Sequence, residues 1–530
     1  MSQALADRLN LELAWARLKF DRPDRVFLSN PFQLGLIELD LVGWLGLIRE
    51  CLVRGYVPAP CLTVPVPKGN WQVRPGSSLR LEDEIVLNAI IGHNLHNISL
   101  DLQELQGNTD VAFQLPRGLN RREWVRRGFP VWKEWRENSK QRLENGAQFV
   151  LFADISAFYE NVDLDRLASD LRRLNFEAES AALLSECLNR WAYPRGKGIP
   201  QGYTAADILA KIYLSSVDKN LRNAGFDHLR YVDDVRIFCN TFQQAQKALL
   251  TLTELLRLRG LNIQSAKTYI READEALTEI DGVGPVISQI HDELLEEIRE
   301  EAAGAYGTIS DLERLAEQNP DDPPMEVLER AFEQYFLEHG VEFDKSLFHF
   351  LLTRLGTVKS RIAIEYCLQS LETHPEETEI VTRYLGKIGI TNPEHEKFIH
   401  FLTSELALYD YQNYQILKFY FDSGLCYPGV LALCRAYVRD VARPHWLRAY
   451  AVALLGRAGE AADMEFFEAQ YGNCRDDVER ASYICSCAPM EPRRRNEFLG
   501  RVRRDGDLED RATRWVRAQG QAERPAAVQA

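Results

Sequence analysis

The stretch Leu229–Cys239, LRYVDDVRIFC, constrains this chain more than any other. Leu229, Tyr231, Val235, Ile237 and Cys239 alternate with other residues on either side of two adjacent carboxylates. Alternation of period two is the signature of a strand. Interrupted at its centre by two acids, it predicts a hairpin with Asp233 and Asp234 at or near the turn. A second strand is predicted over Gln148–Ala153, QFVLFA, a short apolar run that ends at Asp154. Between them the spacing predicts an amphipathic helix over Val162–Leu174 and a glycine-punctuated loop over Gly196–Gly202. A further helix is predicted over Ala205–Arg222, with Ala206, Leu209, Ala210, Tyr213 and Val217 on one side. Two aspartates in a hairpin are good turn chemistry by themselves. Three at strand ends also suit chemistry that a structural protein avoids. Crowded carboxylates repel, and two divalent cations about 3.5–4 Å apart both remove that repulsion and use it. Magnesium, which prefers a few carboxylate oxygens plus phosphate and water, is the natural ion.

The chain changes character after Gly282–Pro285, GVGP. Helices are predicted over Ile290–Ala303, Glu326–Glu338, Phe348–Leu355 and His445–Leu455, with Asn319–Pro324, NPDDPP, as a breaker. Leu355-Gly356, Leu385-Gly386, Gly424 and Leu455-Gly456 recur at a loose interval, which predicts helix pairs closed by glycine C-caps. A chain of 530 residues is too long for one core. The net charge of −15 is unevenly placed. Residues 1–290 carry 35 Lys+Arg against 36 Asp+Glu, and the rest carry 28 against 42, so the acidity belongs to the second half. A basic surface is therefore compatible with the first half. No apolar run is long enough to span a membrane and no secretory leader is read. The ten cysteines are sparse, and Cys485 with Cys487 lacks zinc-site spacing, so free thiols in a reducing cytoplasm are expected.

Four motifs succeed one another: Asp154 in FADISAFYENVD, Gly198–Gly202 (GIPQG), Tyr231–Asp234 (YVDD) and Gly260–Thr268 (GLNIQSAKT). In order and spacing they resemble the palm motifs of reverse transcriptases, over roughly residues 25–275. The motif around Asp154 looks like that of bacterial abortive-infection and other defence-associated reverse transcriptases, including those with a HEAT-like helical C-terminal domain. The resemblance implies an α+β fold: polymerase fingers and an antiparallel palm sheet with helices, no recognisable thumb, then an all-α helical repeat. The expected boundaries are 1–145 for fingers and N-terminal helices, 146–285 for the palm, 286–518 for the repeat, and 519–530 for a disordered tail.

The resemblance also implies an activity: a nucleotidyltransferase that makes DNA with two Mg2+ ions, or Mn2+ in their place, in phage defence. Untemplated synthesis and synthesis on a bound noncoding RNA both stay open. A retroelement enzyme copying a cognate RNA and a non-catalytic palm scaffold are the alternatives. Asp154, Asp233 and Asp234 are the expected catalytic and metal-binding residues, joined by the backbone carbonyl of Ile155. Tyr159 would be the aromatic gate against a ribose 2′-hydroxyl, or else a core tyrosine beside Phe158. Gln201 and Gly202 would lie against the nascent base pair. Lys267 would act near the pyrophosphate or be a solvated lysine. Lys68 and Arg74, in VPVPKGNWQVRPGSSLR, are the candidates for the triphosphate, with Arg80 as the alternative to either, since phosphate needs fixed cations.

Residues 117–142 hold nine Lys+Arg and three Glu among Trp124, Phe129, Trp132 and Trp135. Such a segment tracks a phosphate backbone through Arg121, Arg122, Arg126 and Arg127, with aromatics stacking on bases, or is an amphipathic segment with a core-facing aromatic side. The expected partners are dNTPs, RNA or single-stranded DNA, and further copies of the chain through the helical half, with no membrane. Arg439 and His445 fit the R-x5-H pattern of HEPN ribonucleases, but Pro444 between them reads as the start of a new helix.

Overall fold

The structure, a computed structural model, describes residues 2–25, 27–116, 118, 120–283, 286–291, 293–294, 323–338, 343–458, 460–474, 476–502 and 506–522. It divides into two compact units. One comprises residues 1–27, 42–64 and 76–281; the other comprises 28–41, 65–75 and 282–530.

The first unit is built on a four-stranded antiparallel sheet of β3 (Phe149–Asp154), β4 (Asp227–Tyr231), β5 (Asp234–Cys239) and β6 (Tyr269–Glu272), in the order β4-β5-β3-β6. The expected strand and hairpin both form. One face is covered by helix α1 (Phe242–Leu258), which Thr241 caps by accepting from the Gln244 amide at 3.1 Å. Its buried Ala245, Ala248, Leu252 and Leu256 keep helical spacing. The other face is covered by Phe129–Glu144 and Ala273–Asp281. Val131, Trp135, Ala276 and Ile280 from these helices close on Val150, Phe152, Leu229 and Phe238. Each buried Val, Leu, Ile or Phe among them contributes about 1.5–3 kcal/mol by leaving water.

Helix α2 (Thr204–Asn223) is mostly buried in this unit. Its expected apolar side is present, yet it is buried nearly all round. Asp207, Lys211 and Asp218 form a charged stripe on it, each about 2 % exposed or less. Buried charges of this kind must be paired. Before these elements, β1 (Leu62–Lys68) and β2 (Gln72–Ser78) make a separate hairpin whose outer part, residues 65–75, belongs to the second unit.

The second unit stacks helices in two alternating layers. In one layer α3 (Lys345–Val358), α4 (Thr378–Ile388), α5 (Asp410–Asp422), α6 (His445–Ala458), α7 (Asp477–Ser486) and α8 (Asp507–Ala522) pack each on the next. The helices Ile364–Thr373, Asn392–Thr403 and Pro428–Arg439 stack likewise in the other. This is the expected helical repeat, but its glycines do a different job. Gly356, Gly386 and Gly456 lie inside helices rather than capping them. A Cβ on Gly456 would stand 2.3 Å from Ser486 Cβ, and one on Gly356 would stand 3.4 Å from the Tyr384 ring. They let successive helices approach closely. The true positive-φ closures are Gly389 and Gly424, at 78° and 69°.

The segment 28–41 is locked into this unit. The Ser29 amide donates to the Tyr414 hydroxyl at 2.7 Å, Ser29 Oγ lies 2.8 Å from the Tyr450 hydroxyl, and Phe32 meets the Phe421 ring. Arg439 lies over the Phe466 ring, whereas His445 faces Asp476, so the two do not form a ribonuclease pair. The helix expected over 326–338 is α-helical only through Phe332 and continues as a π turn, Glu333–Leu337. The expected helix over 290–303 and breaker over 319–324 lie largely outside the described residues. A tail is expected from 519, but the last helix runs to Ala522, and 523–530 lie outside the described residues.

Candidate active site

The hairpin loop is two residues long, since Tyr231 pairs with Asp234 across it. On the other side Asp234 pairs with Asp154. Residues opposite one another in an antiparallel sheet share a face, so Tyr231, Asp234 and Asp154 form one row. Asp233 is drawn to the same place by its carbonyl, which accepts from the Ile155 amide at 3.1 Å. The order strand, loop, strand thus gathers the three acids that the sequence singled out, with the buried Ile155 between them.

Their charges act on one another. Burial, then the charges of Asp234 and Asp154, push the Asp233 carboxyl up to about 6, against the pull of Lys267. Asp234 is raised by burial and by Asp154, with Lys267 and Arg236 opposing. The Lys267 ammonium lies 3.1 Å from Asp154 Oδ1. Burial alone would lower its pKa, but its hydrogen bond to Asp154 and the three carboxylates raise it. The chain around it is held against the end of β3. The Gln264 amide donates to the Asp154 carbonyl at 2.8 Å, and the Ser156 amide donates to that of Asn262 at 2.9 Å.

Tyr159 is half-buried, with Phe158 rather than itself in the core. Its hydroxyl donates to Asp207 Oδ1 at 2.5 Å and its carbonyl accepts from the Ile199 amide at 2.9 Å. Gly198, at φ +93°, is needed here because a Cβ would stand 3.3 Å from the Glu160 carbonyl oxygen. The Gln201 amide donates to Ser77 Oγ at 3.1 Å, and Gly202 also has positive φ, so this loop is tied to the inner end of β2. Lys68 and Arg74 are exposed on the outer part of the β1–β2 hairpin and fall in the second unit, where the Arg74 charge acts on Tyr411.

The basic segment resolves into two kinds of residue. Trp124 and Trp135 are buried, at 1 % and 6 % exposed, so neither can stack on a base. Arg126 pairs with Glu134 and with Gln114, and Arg127 pairs with Asp21 at 3.2 Å. Arg121 and Arg122 are exposed, with Arg122 lying over the Phe20 ring.

Three residues near the acids escaped the sequence reading. Asp207 holds Tyr159. Arg236 sits in the row behind the acids, opposite Phe152, with its guanidinium 3.5 Å from the Trp135 ring centroid; burial lowers its pKa to about 10. Arg230 donates to the Val232 carbonyl at 2.9 Å. The visible signal was a charged stripe on an otherwise apolar helix, Asp207, Lys211 and Asp218.

Residues 66–280 match the family described as reverse transcriptase (RNA-dependent DNA polymerase). The chain carries a reverse transcriptase domain. The strand–hairpin sheet is therefore its palm, and the repeat after it is a helical domain. No curated protein matches the chain. Among solved structures it is similar to telomerase from Candida albicans in complex with a TWJ fragment of telomeric RNA, at 13% identity over 71% of this chain and 68% of that one, with a TM-score of 0.30. Apo telomerase from Candida tropicalis is similar at 11% identity over 86% and 74%, TM-score 0.30. A form of the latter truncated from its C-terminal domain is similar at 12% identity over 42% and 53%, TM-score 0.28, so this chain spans about half of it.

Reverse transcriptase domains work with divalent metal ions. Among the described residues no group of three His, Cys, Asp or Glu side chains stands ready-made as a metal cluster. Lys267 holds Asp154 instead. The residues nonetheless fit a divalent ion in charge and placement: two acids share a row, and the third is raised by burial and then by its neighbours' charge, the part that a cation would relieve. Among the described residues no helix is long and apolar enough to cross a membrane.

Proposed function

We propose that this protein is a DNA polymerase that adds dNTPs by two-metal phosphoryl transfer, and that it serves bacterial antiviral defence. The observation that carries the chemistry is the direct pairing of Asp154 with Asp234, with Asp233 in the loop between the strands. Asp154, Asp233, Asp234 and the Ile155 carbonyl would hold Mg2+, whose role when bound is to activate the 3′-hydroxyl and neutralise the triphosphate. The 3′ oxygen bonds to the α-phosphorus as the bond to the pyrophosphate oxygen breaks. Lys267, which hydrogen-bonds to Asp154, would give a proton to the leaving pyrophosphate. Tyr159, braced by Asp207, would exclude a ribose by bulk. Gln201 and Gly202 would border the nascent pair, and Lys68 and Arg74 would meet the triphosphate.

The form of the motif around Asp154, and the helical repeat that follows the palm, support the defence reading. The exposed Arg121 and Arg122 are the cations proposed for an RNA or single-stranded DNA, and the acidic repeat is proposed to join copies of the chain in the cytoplasm. Incubation of the purified full chain with labelled dNTPs and Mg2+ tests the chemistry. Phage plating on cells carrying the wild-type or Asp234→Asn gene tests the role. Labelled product and Asp234-dependent protection are expected. No product, or protection that survives Asp234→Asn, would overturn the respective half.

A further inference from the structure

The loop that presents Asp233 and Asp234 is strained. Val232 has a φ of 60°, whereas Asp233 is not among the positive-φ residues. A two-residue hairpin loop with positive φ at its first position has the type II′ pattern, which favours glycine there. A β-branched side chain in that conformation is an outlier and persists only where its surroundings hold it.

What holds it lies behind the loop. Arg230, 2 % exposed, donates from Nη1 to the Val232 carbonyl at 2.9 Å. The rest of its guanidinium is fixed by two buried acids. Nε and Nη2 reach Asp218 at 3.0 and 2.7 Å, and Nη2 reaches Asp110 at 3.0 Å. Asp110 also meets Lys211 Nζ at 2.6 Å, and His228 lies 3.3 Å from Asp218. The Arg230 backbone is held as well: its amide donates to the Thr109 carbonyl at 2.7 Å, and its carbonyl accepts from the Val111 amide at 3.0 Å. Asp110, Asp218, Lys211 and Arg230 thus close a buried group in which two acids face two bases. Buried ion groups add little to stability over apolar packing and are best attested where they fix one geometry. Here the geometry is that of the hairpin loop: Arg230 grips the carbonyl of the Val232–Asp233 peptide, and the Ile155 amide holds the next carbonyl, that of Asp233.

We propose that Arg230, clamped by Asp218 and Asp110, is a positioning residue that holds the strained Val232–Asp233 peptide and so sets the aim of the two hairpin carboxylates. This rests on the polymerase reading for its use, but not for its test. Mn2+ binding to the full-length chain, followed by electron paramagnetic resonance, reads the aim of the acids whether or not DNA is made. Arg230→Met should weaken Mn2+ binding at least fivefold. It should also lower kcat for dNTP incorporation at least tenfold, with KM for dNTP within twofold. Adding Val232→Gly, which removes the strain that needs holding, should restore most of both losses. Arg230→Lys, which keeps the buried charge but lacks the fork, should show the same loss and the same rescue if the Met variant does not fold. Wild-type Mn2+ binding and turnover in a folded Arg230 variant, or no recovery on adding Val232→Gly, would overturn the proposal. Rescue of Mn2+ binding in a chain that makes no DNA would sustain it while removing the polymerase reading.

Discussion

Asp233→Asn should make the protein more stable and inactive at once. In the fold, burial and the charges of Asp234 and Asp154 move this carboxyl from 3.8 to about 6. That change corresponds to ~3 kcal/mol between its protonation states. Because the folded pKa lies above the unfolded one, ionisation opposes folding. The penalty is absent below pH 3.8, grows between 3.8 and about 6, and is complete above that. An amide carries no such penalty. Allowing for the partial exposure of the site, the variant should gain about 1–3 kcal/mol at pH 7.5 without metal, or roughly 3–8 °C in Tm for a unit of this size. The gain should vanish at pH 4. Added Mg2+ should raise the wild-type Tm and leave the variant unmoved. Differential scanning fluorimetry in EDTA and in Mg2+, beside a dNTP incorporation assay, reads all of this. A variant that melts at or below the wild-type temperature at pH 7.5, or that still incorporates dNTPs, would refute the reasoning.

Asp207→Ala should free the Tyr159 ring and lower the preference for dNTP over rNTP several-fold, and Tyr159→Ala should lower it further; single-turnover kcat/KM values with both nucleotides check this. Lys267→Ala should reduce kcat about ten- to a hundredfold with little change in KM for dNTP, as expected for a lost proton donor, and a steady-state titration of dNTP reads the split. Gly456→Ala would place a Cβ 2.3 Å from Ser486 Cβ, so the repeat should lose about 1–3 kcal/mol by overpacking, seen as a lower urea midpoint by circular dichroism.

The parts of the fold that were legible in the sequence are those written in short spacings. Period-two alternation announced β4 and β5, and the apolar run before Asp154 announced β3. Helical spacing announced the repeat. What escaped depends on contacts between distant residues. Arg230 meets Asp218 across 12 positions and the Asp110 region across about ten times as many, and no local pattern marks that convergence. The same holds for residues 28–41 and 65–75, which join a unit whose bulk begins after residue 281. Gly424 closes its helix as read, but Gly356, Gly386 and Gly456 were misread because a glycine before a turn and a glycine under a neighbouring helix look alike in one dimension. In the basic segment, charge was visible but direction was not: Trp124 and Trp135, two of the aromatics that suggested base stacking, face the interior.

The central claim is that Asp154, from a separate strand, works with the hairpin acids on one nucleotide. The measurement that tests it most directly is magnesium-dependent incorporation of labelled dNTP by the full-length wild-type chain and by Asp154→Asn, each first shown to be folded. Labelled polymer is expected from the wild type, none in EDTA, and none from the variant. Equal product from the two, or product that does not need the metal, would contradict it.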